Sequence, residues 1–129
     1  MKQPKPEVKP LEWVGSSEND LKRFPKSVRN AMGYALYRAQ LGERHPHTKT
    51  MSGMGNAKVL EVREWKESGT YRAMYTTEIA GYIFVLHAFQ KKSNKGIATP
   101  KHDIDLIKKR LKEAIEKGKE LRRNCEQKK

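Results

Sequence analysis

Between Pro25 and Leu41 the apolar residues Val28, Ala31, Met32, Ala35, Leu36 and Ala39 recur at steps of three and four, which is one continuous stripe on a helix. Gly42 stands where a helix-ending glycine belongs. A shorter helix should precede it, because Ser17 opens a Ser-x-x-Asp pattern ending at Asp20 and Pro25 limits the chain near Phe24. Leu11 to Gly15 reads as a short strand. Residues 43–56, rich in His, Pro, Lys, Thr and Gly, read as a loop. Alternation then replaces the helical period, and strands are expected over 57–65, 70–77 and 81–90, broken at Ser68-Gly69 and Ala80-Gly81 closely enough for antiparallel hairpins. In the first strand Lys58, Leu60 and Val62 share one face while Val59, Glu61, Arg63 and Trp65 take the other; in the second, Arg72 alternates with Tyr71, Ala73 and Tyr75. Strict period two in the third puts Ile83, Val85, His87, Phe89 and Lys91 on one face. Thr99 and Pro100 suit an N-cap and first helical residue. The helix that follows carries Ile104, Ile107, Leu111, Ala114 and Ile115 on one face to about Leu121, with Gly118 expected to fray it.

The fold class these elements predict is α+β: a small twisted antiparallel sheet, two N-terminal helices packed on one face, and a C-terminal amphipathic helix near the sheet's end. Residues 1–10, with three prolines and three lysines, read as a flexible basic arm, 11–121 as one domain, and 122–129 as a disordered basic tail.

Charge changes the picture more than size does. A net charge of +13 on 129 residues points to a polyanionic partner, nucleic acid before an anionic membrane, against the alternative of a merely solubilising surface. The first ten residues have no apolar stretch of the kind a secretion signal needs, and no apolar run approaches the length of a membrane span, so the chain is expected to be soluble and cytoplasmic. Cys125 is the sole cysteine, which excludes an internal disulfide framework. His45 and His47 form a His-x-His pair, but no cysteine or carboxylate pattern beside them completes a ligand set, so neither a metal site nor a cofactor is expected.

Three segments line up in order: Val59-Leu60-Glu61-Val62-Arg63, Thr70-Tyr71-Arg72-Ala73-Met74-Tyr75, and Val85-Leu86-His87-Ala88-Phe89-Gln90-Lys91-Lys92 with Thr99-Pro100 behind. Together with PLEWVGSS, DLKRFP and GYALYRAQLGE in the N-terminal half, they resemble the phage-related, HigB-like branch of the RelE/ParE toxin superfamily, from about Pro10 to Ile115. The resemblance implies a type II toxin that cleaves messenger RNA on the ribosome without metal and is neutralised by a separate antitoxin, commonly a helix-turn-helix protein. Some members of the superfamily instead inhibit DNA gyrase, so a non-catalytic gyrase inhibitor or a basic nucleic-acid-binding module is the alternative.

Metal-free RNA cleavage needs a base for the 2′-hydroxyl, an acid for the departing 5′-oxygen, and cations for the charge that builds on the phosphoryl group. Arg63 and Arg72, on neighbouring strands, are the first candidates for the clamp, because a guanidinium presents a planar fork to phosphate oxygens. The competing reading of Arg63 is a surface ion pair with Glu61 or Glu64. Lys91 and Lys92 match the lysine pair of the resembling proteins and are candidates for phosphate contact first, or for proton donation or action as a base, against a plain run of solvated charges. His87 suits acid–base work near neutral pH, or is a hydrogen-bonded core histidine. Lys58, Phe89, Lys95 and Lys101 complete the expected RNA-binding set, with Phe89 able to stack on a base.

Overall fold

A computed structural model describes residues 8–91 and 99–127. Its elements run β1 (Leu11–Trp13), α1 (Ser17–Lys22), α2 (Lys26–Gln40), β2 (Thr48–Thr50), β3 (Val59–Lys66), β4 (Gly69–Ile79), β5 (Tyr82–Lys91) and α3 (Lys101–Gln127). The five strands form one sheet in the order β1-β5-β4-β3-β2. The α+β class holds, but the sheet is mixed rather than purely antiparallel, because β1 lies parallel to β5 while the other pairs are antiparallel. A parallel neighbour needs a long connection, and the two N-terminal helices with the two hairpins supply it. The β4–β5 hairpin closes tightly at Ala80 (φ 55°) and Gly81 (φ 75°), the two positive values that a two-residue turn matching the strand twist requires.

Both faces of the sheet are covered. On one, Val28, Met32, Ala35 and Leu36 of α2 pack with Leu60, Val62, Ala73, Tyr75, Ile83 and Val85. On the other, Ile107, Leu111 and Ala114 of α3 pack with Val59, Met74, Phe84 and Leu86. The C-terminal helix is therefore the second layer of the domain and does not stand near the sheet's end as expected. The central strand β4 is consequently buried from Gly69 through Thr76 on both of its faces.

Three local expectations are corrected. Ser17 is not the cap of α1; it lies inside the helix, fully buried, and its Oγ donates to the Val85 carbonyl at 3.0 Å. Residues 128–129 lie outside the described residues, and the C-terminal segment is helical through Gln127, so residues 122–127 of the tail expected to be disordered continue α3. No proline interrupts it, and Gly118 does not fray the helix: it is buried against β4, where an added Cβ would run into Ile79 Cγ2. At the other terminus, residues 1–7 of the expected arm lie outside the described residues, while Lys9 is tied to α2: its N–H donates to the Gln40 carbonyl at 2.9 Å, and Gln40 Nε2 donates to the Lys9 carbonyl at 2.8 Å.

Candidate nucleic-acid site

Strand pairing builds the site in two rows on the α3 face. Arg63 of β3 stands opposite Arg72 of β4, and Arg72 stands opposite Phe89 of β5. Two residues further along each strand, Glu61, Met74 and His87 form the second row on the same face. Two arginines directly opposed repel each other, which a buried sheet tolerates only with a counter-ion between them. Glu61 is that counter-ion, fully buried, with Oε1 accepting from Arg63 Nε and Oε2 3.8 Å from Arg72 Nη1. Lys49, brought alongside by β2, places its Nζ 3.9 Å from the same carboxylate. Burial pushes the Arg72 guanidinium below its ordinary pKa, Arg63 adds to that, and Glu61 and Asp103 oppose it. It remains a cation, since arginine does not deprotonate in proteins.

The start of α3 closes the cluster. Thr99 Oγ1 accepts from Arg72 Nη1 at 3.2 Å and donates to Glu61 Oε2 at 3.4 Å. Arg72 also lies over the Phe89 ring, 5.9 Å from its centroid. Beside these groups an open groove of about 340 Å³ is lined by Lys49, Ser52, Glu61, Arg63, Thr99 and Ile104.

A break in the β4–β5 register decides what His87 does. Met74 pairs with His87 but Tyr75 pairs with Val85, so Leu86 is an extra residue in β5 and the strand carries a bulge. Ile83 and Val85 therefore face α2, whereas Leu86, His87 and Phe89 face α3. The single shared face expected for Ile83, Val85, His87 and Phe89 is thus overturned. The His87 ring stacks on Phe89 with centroids 5.2 Å apart. Its Nε2–H donates to Asp103 at 2.7 Å, while Arg110 Nη1 donates to Nδ1 at 3.3 Å and to the Leu86 carbonyl at 3.0 Å. Arg110 Nη2 also donates to Ser16 Oγ at 2.9 Å. The side chain passes so close to Gly15 (φ 57°) that a Cβ there would come within 2.7 Å of its Nε. Both ring nitrogens of His87 are engaged, and the residue pins β5 to α3.

The family model of the phage-derived Gp49-like proteins (DUF891) matches residues 19–112 of the chain. The chain belongs to that family. The Gp49-like family is associated with RelE-type, toxin-like proteins, and the matched span holds every residue of the two rows and both partners of His87. No curated protein matches this Gp49-like chain. Among its described residues no helix is long and apolar enough to cross a membrane.

Of the residues the sequence singled out in this Gp49-like protein, the structure brings Arg63, Arg72, His87 and Phe89 together. Arg63 and Arg72 are 9% and 1% exposed, so they are buried side chains rather than surface cations. Lys91 ends β5 opposite Thr70, two residues beyond Phe89, and is partly exposed. Lys101 is exposed on the first turn of α3. Lys58 is exposed just before β3 and lies at the other end of the sheet, about 13 Å or more of strand rise from Arg63. Lys92 and Lys95 lie outside the described residues. Glu61, Thr99, Asp103 and Arg110 complete the arrangement and were not among the expected site residues. The signal for Asp103 and Arg110 was their position on the apolar stripe, one turn either side of Ile107. The His45–His47 pair also acquires a carboxylate: Glu64, seventeen residues on from His47, lies beside it.

Proposed function

We propose that this chain is the toxin of a toxin–antitoxin pair and that it cleaves messenger RNA on the ribosome without metal. The observation that carries this reading is the opposed Arg63–Arg72 pair held over one buried carboxylate, beside a groove that Arg63 and Lys49 line. A phosphate entering that groove meets Arg63 and Lys49, whose charge offsets the negative charge that builds as the 2′-hydroxyl attacks. Arg72 acts through its neighbours: buried between Glu61, Thr99 and Phe89, it fixes the position of Arg63's partner and of the α3 start. His87, with both nitrogens occupied, is assigned a positioning role, and proton donation falls to Lys91, which ends β5, or to Lys92, the next residue in the sequence. An antitoxin with an acidic segment would cover this cationic end of the domain.

The test is induction of the full chain in a host lacking any antitoxin, with transcript ends mapped. Growth arrest with cleaved transcripts is expected, cleavage should persist in EDTA with purified ribosomes, and the double variant Lys91→Ala, Lys92→Ala should restore growth while the protein stays folded. Arrest with intact transcripts and lost supercoiling would replace this reading with gyrase inhibition.

A further inference from the structure

The loop entering β2 carries chemistry that the arginine cluster does not use. His45, Pro46 and His47 form a turn in which the His47 N–H donates to His45 Nδ1 at 3.1 Å and the Thr48 N–H donates to the His45 carbonyl at 3.1 Å. The turn is fastened to the sheet, because the His47 carbonyl accepts from the Arg63 N–H at 3.2 Å. Glu64, the next residue, alternates with Arg63 along β3 and so leaves the opposite side of the strand, which takes it out of the arginine cluster. His47 Nδ1 lies 3.3 Å from Glu64 Oε1. One ligand atom from each of His45, His47 and Glu64 lies within 4.8 Å of the others.

We infer that His45, His47 and Glu64 form a site for a zinc-class divalent cation that clasps the β2 edge of the sheet onto β3. Bonds of about 2.0–2.1 Å in tetrahedral coordination separate neighbouring ligand atoms by about 3.4 Å. The His47–Glu64 separation already has that value, and the third ligand has only to close from within 4.8 Å. Two imidazoles with one carboxylate suit zinc, and also nickel, copper and cobalt, over magnesium or calcium, which want all-oxygen shells. Three protein ligands leave a fourth position for water. The partly exposed setting lets an ion enter without opening the core: His47 is 49% exposed at its side chain and Glu64 18%. Whatever fills the fourth position, an ion held here ties the turn before β2 to β3. The edge strand β2 has three residues and holds Lys49 against Glu61, so fastening the turn before it steadies one wall of the groove.

The experiment is isothermal titration of the full, untagged chain with zinc chloride, and thermal melts with and without zinc. One equivalent should bind and the melting temperature should rise. Cobalt should give the visible d–d bands of a four-coordinate centre. His47→Ala and Glu64→Gln, each confirmed as folded by its metal-free melt, should weaken zinc binding by about tenfold or more and abolish the shift. His102→Ala, on the exposed side of α3, should bind as the parent does. Absence of saturable binding, or undiminished binding by His47→Ala and Glu64→Gln, overturns the site. RNA cleavage that persists in EDTA leaves it standing, because the proposed site is outside the arginine cluster; loss of toxicity bears on the function and not on this site.

Discussion

Replacing Glu61 with glutamine keeps the side-chain shape and removes one charge from the centre of the cluster. Glu61 is 0% exposed and serves Arg63 and Arg72 together, with Arg72 Nη1 at 3.8 Å. At that separation a unit pair is worth about 4 kcal/mol of gross attraction for an effective dielectric of about 20, and Arg63 is closer still. Against this stands the desolvation of the carboxylate itself, which the amide avoids. Breaking a buried pair by neutralising one partner costs about 3–5 kcal/mol, because the other charge stays buried. Glutamine still offers an oxygen to Arg63, which places the cost near about 3 kcal/mol. For a chain of this size that corresponds to a fall of about 12 °C in Tm.

Thermal and urea unfolding at neutral pH measure it, and the urea slope should be unchanged, since the surface exposed on unfolding is the same. Raising the salt should recover little, because ions screen buried pairs weakly. Arg72→Met supplies the cycle: combined with Glu61→Gln, it should cost at least about 1 kcal/mol less than the two single losses added. A Tm loss below about 3 °C for Glu61→Gln, or strict additivity in the cycle, would refute the claim that one carboxylate holds two arginines.

Two glycines inside helices should respond in opposite directions. Gly33→Ala on the open side of α2, where a Cβ meets nothing within 4 Å, should stabilise by about 0.5–1 kcal/mol, whereas Gly118→Ala should destabilise despite alanine's better helix propensity, because Ile79 must move; urea midpoints check both signs. Burial raises the Tyr75 phenol above its ordinary pKa, with Thr48 and Arg44 opposing. The stability it contributes is therefore complete below about pH 10 and is lost as pH rises through the folded value. Tyr75→Phe lacks that loss, so its stability relative to the parent should improve between about pH 9 and 11; a constant difference would contradict this. Residues 91–129 hold 14 Lys and Arg against 6 Asp and Glu, so truncation after Leu121 should make the salt slope of RNA binding shallower, by about 0.7 for each phosphate no longer neutralised, while cleavage survives.

What the sequence made legible follows the strength of its local periods. The α2 stripe places that helix within a residue at each end, and the three long strands fall within two residues of their positions, because both rest on patterns that packing reinforces. Thr48–Thr50 has no such pattern. Its three polar residues become β2 only by pairing with Leu60, Glu61 and Val62. The extent of α3 was underestimated because its apolar stripe ends at Leu121 while the helix runs on to Gln127, and the reason Gly118 does not fray it lies across space in Ile79. Opposed arginines were readable as cations on adjacent strands; their burial was not, since it depends on α3 covering the second face.

The bulge at Leu86 shows most sharply why faces cannot be read from alternation alone. Unbroken period two would send His87 and Phe89 with Val85 to the α2 side, leaving Arg72 without the ring it lies over and Asp103 without its histidine. One extra residue reverses that parity for the rest of β5. The reversal is held from outside the strand: Arg110 takes the Leu86 carbonyl and His87 Nδ1 with one nitrogen and Ser16 with another, in space that Gly15 leaves open. Residues from the β1–α1 turn, β5 and α3 thus cooperate to aim Phe89 at Arg72 and bring Lys91 to the same end of the sheet. In the proposed function the proton donor and the phosphate clamp share a site because of this register break.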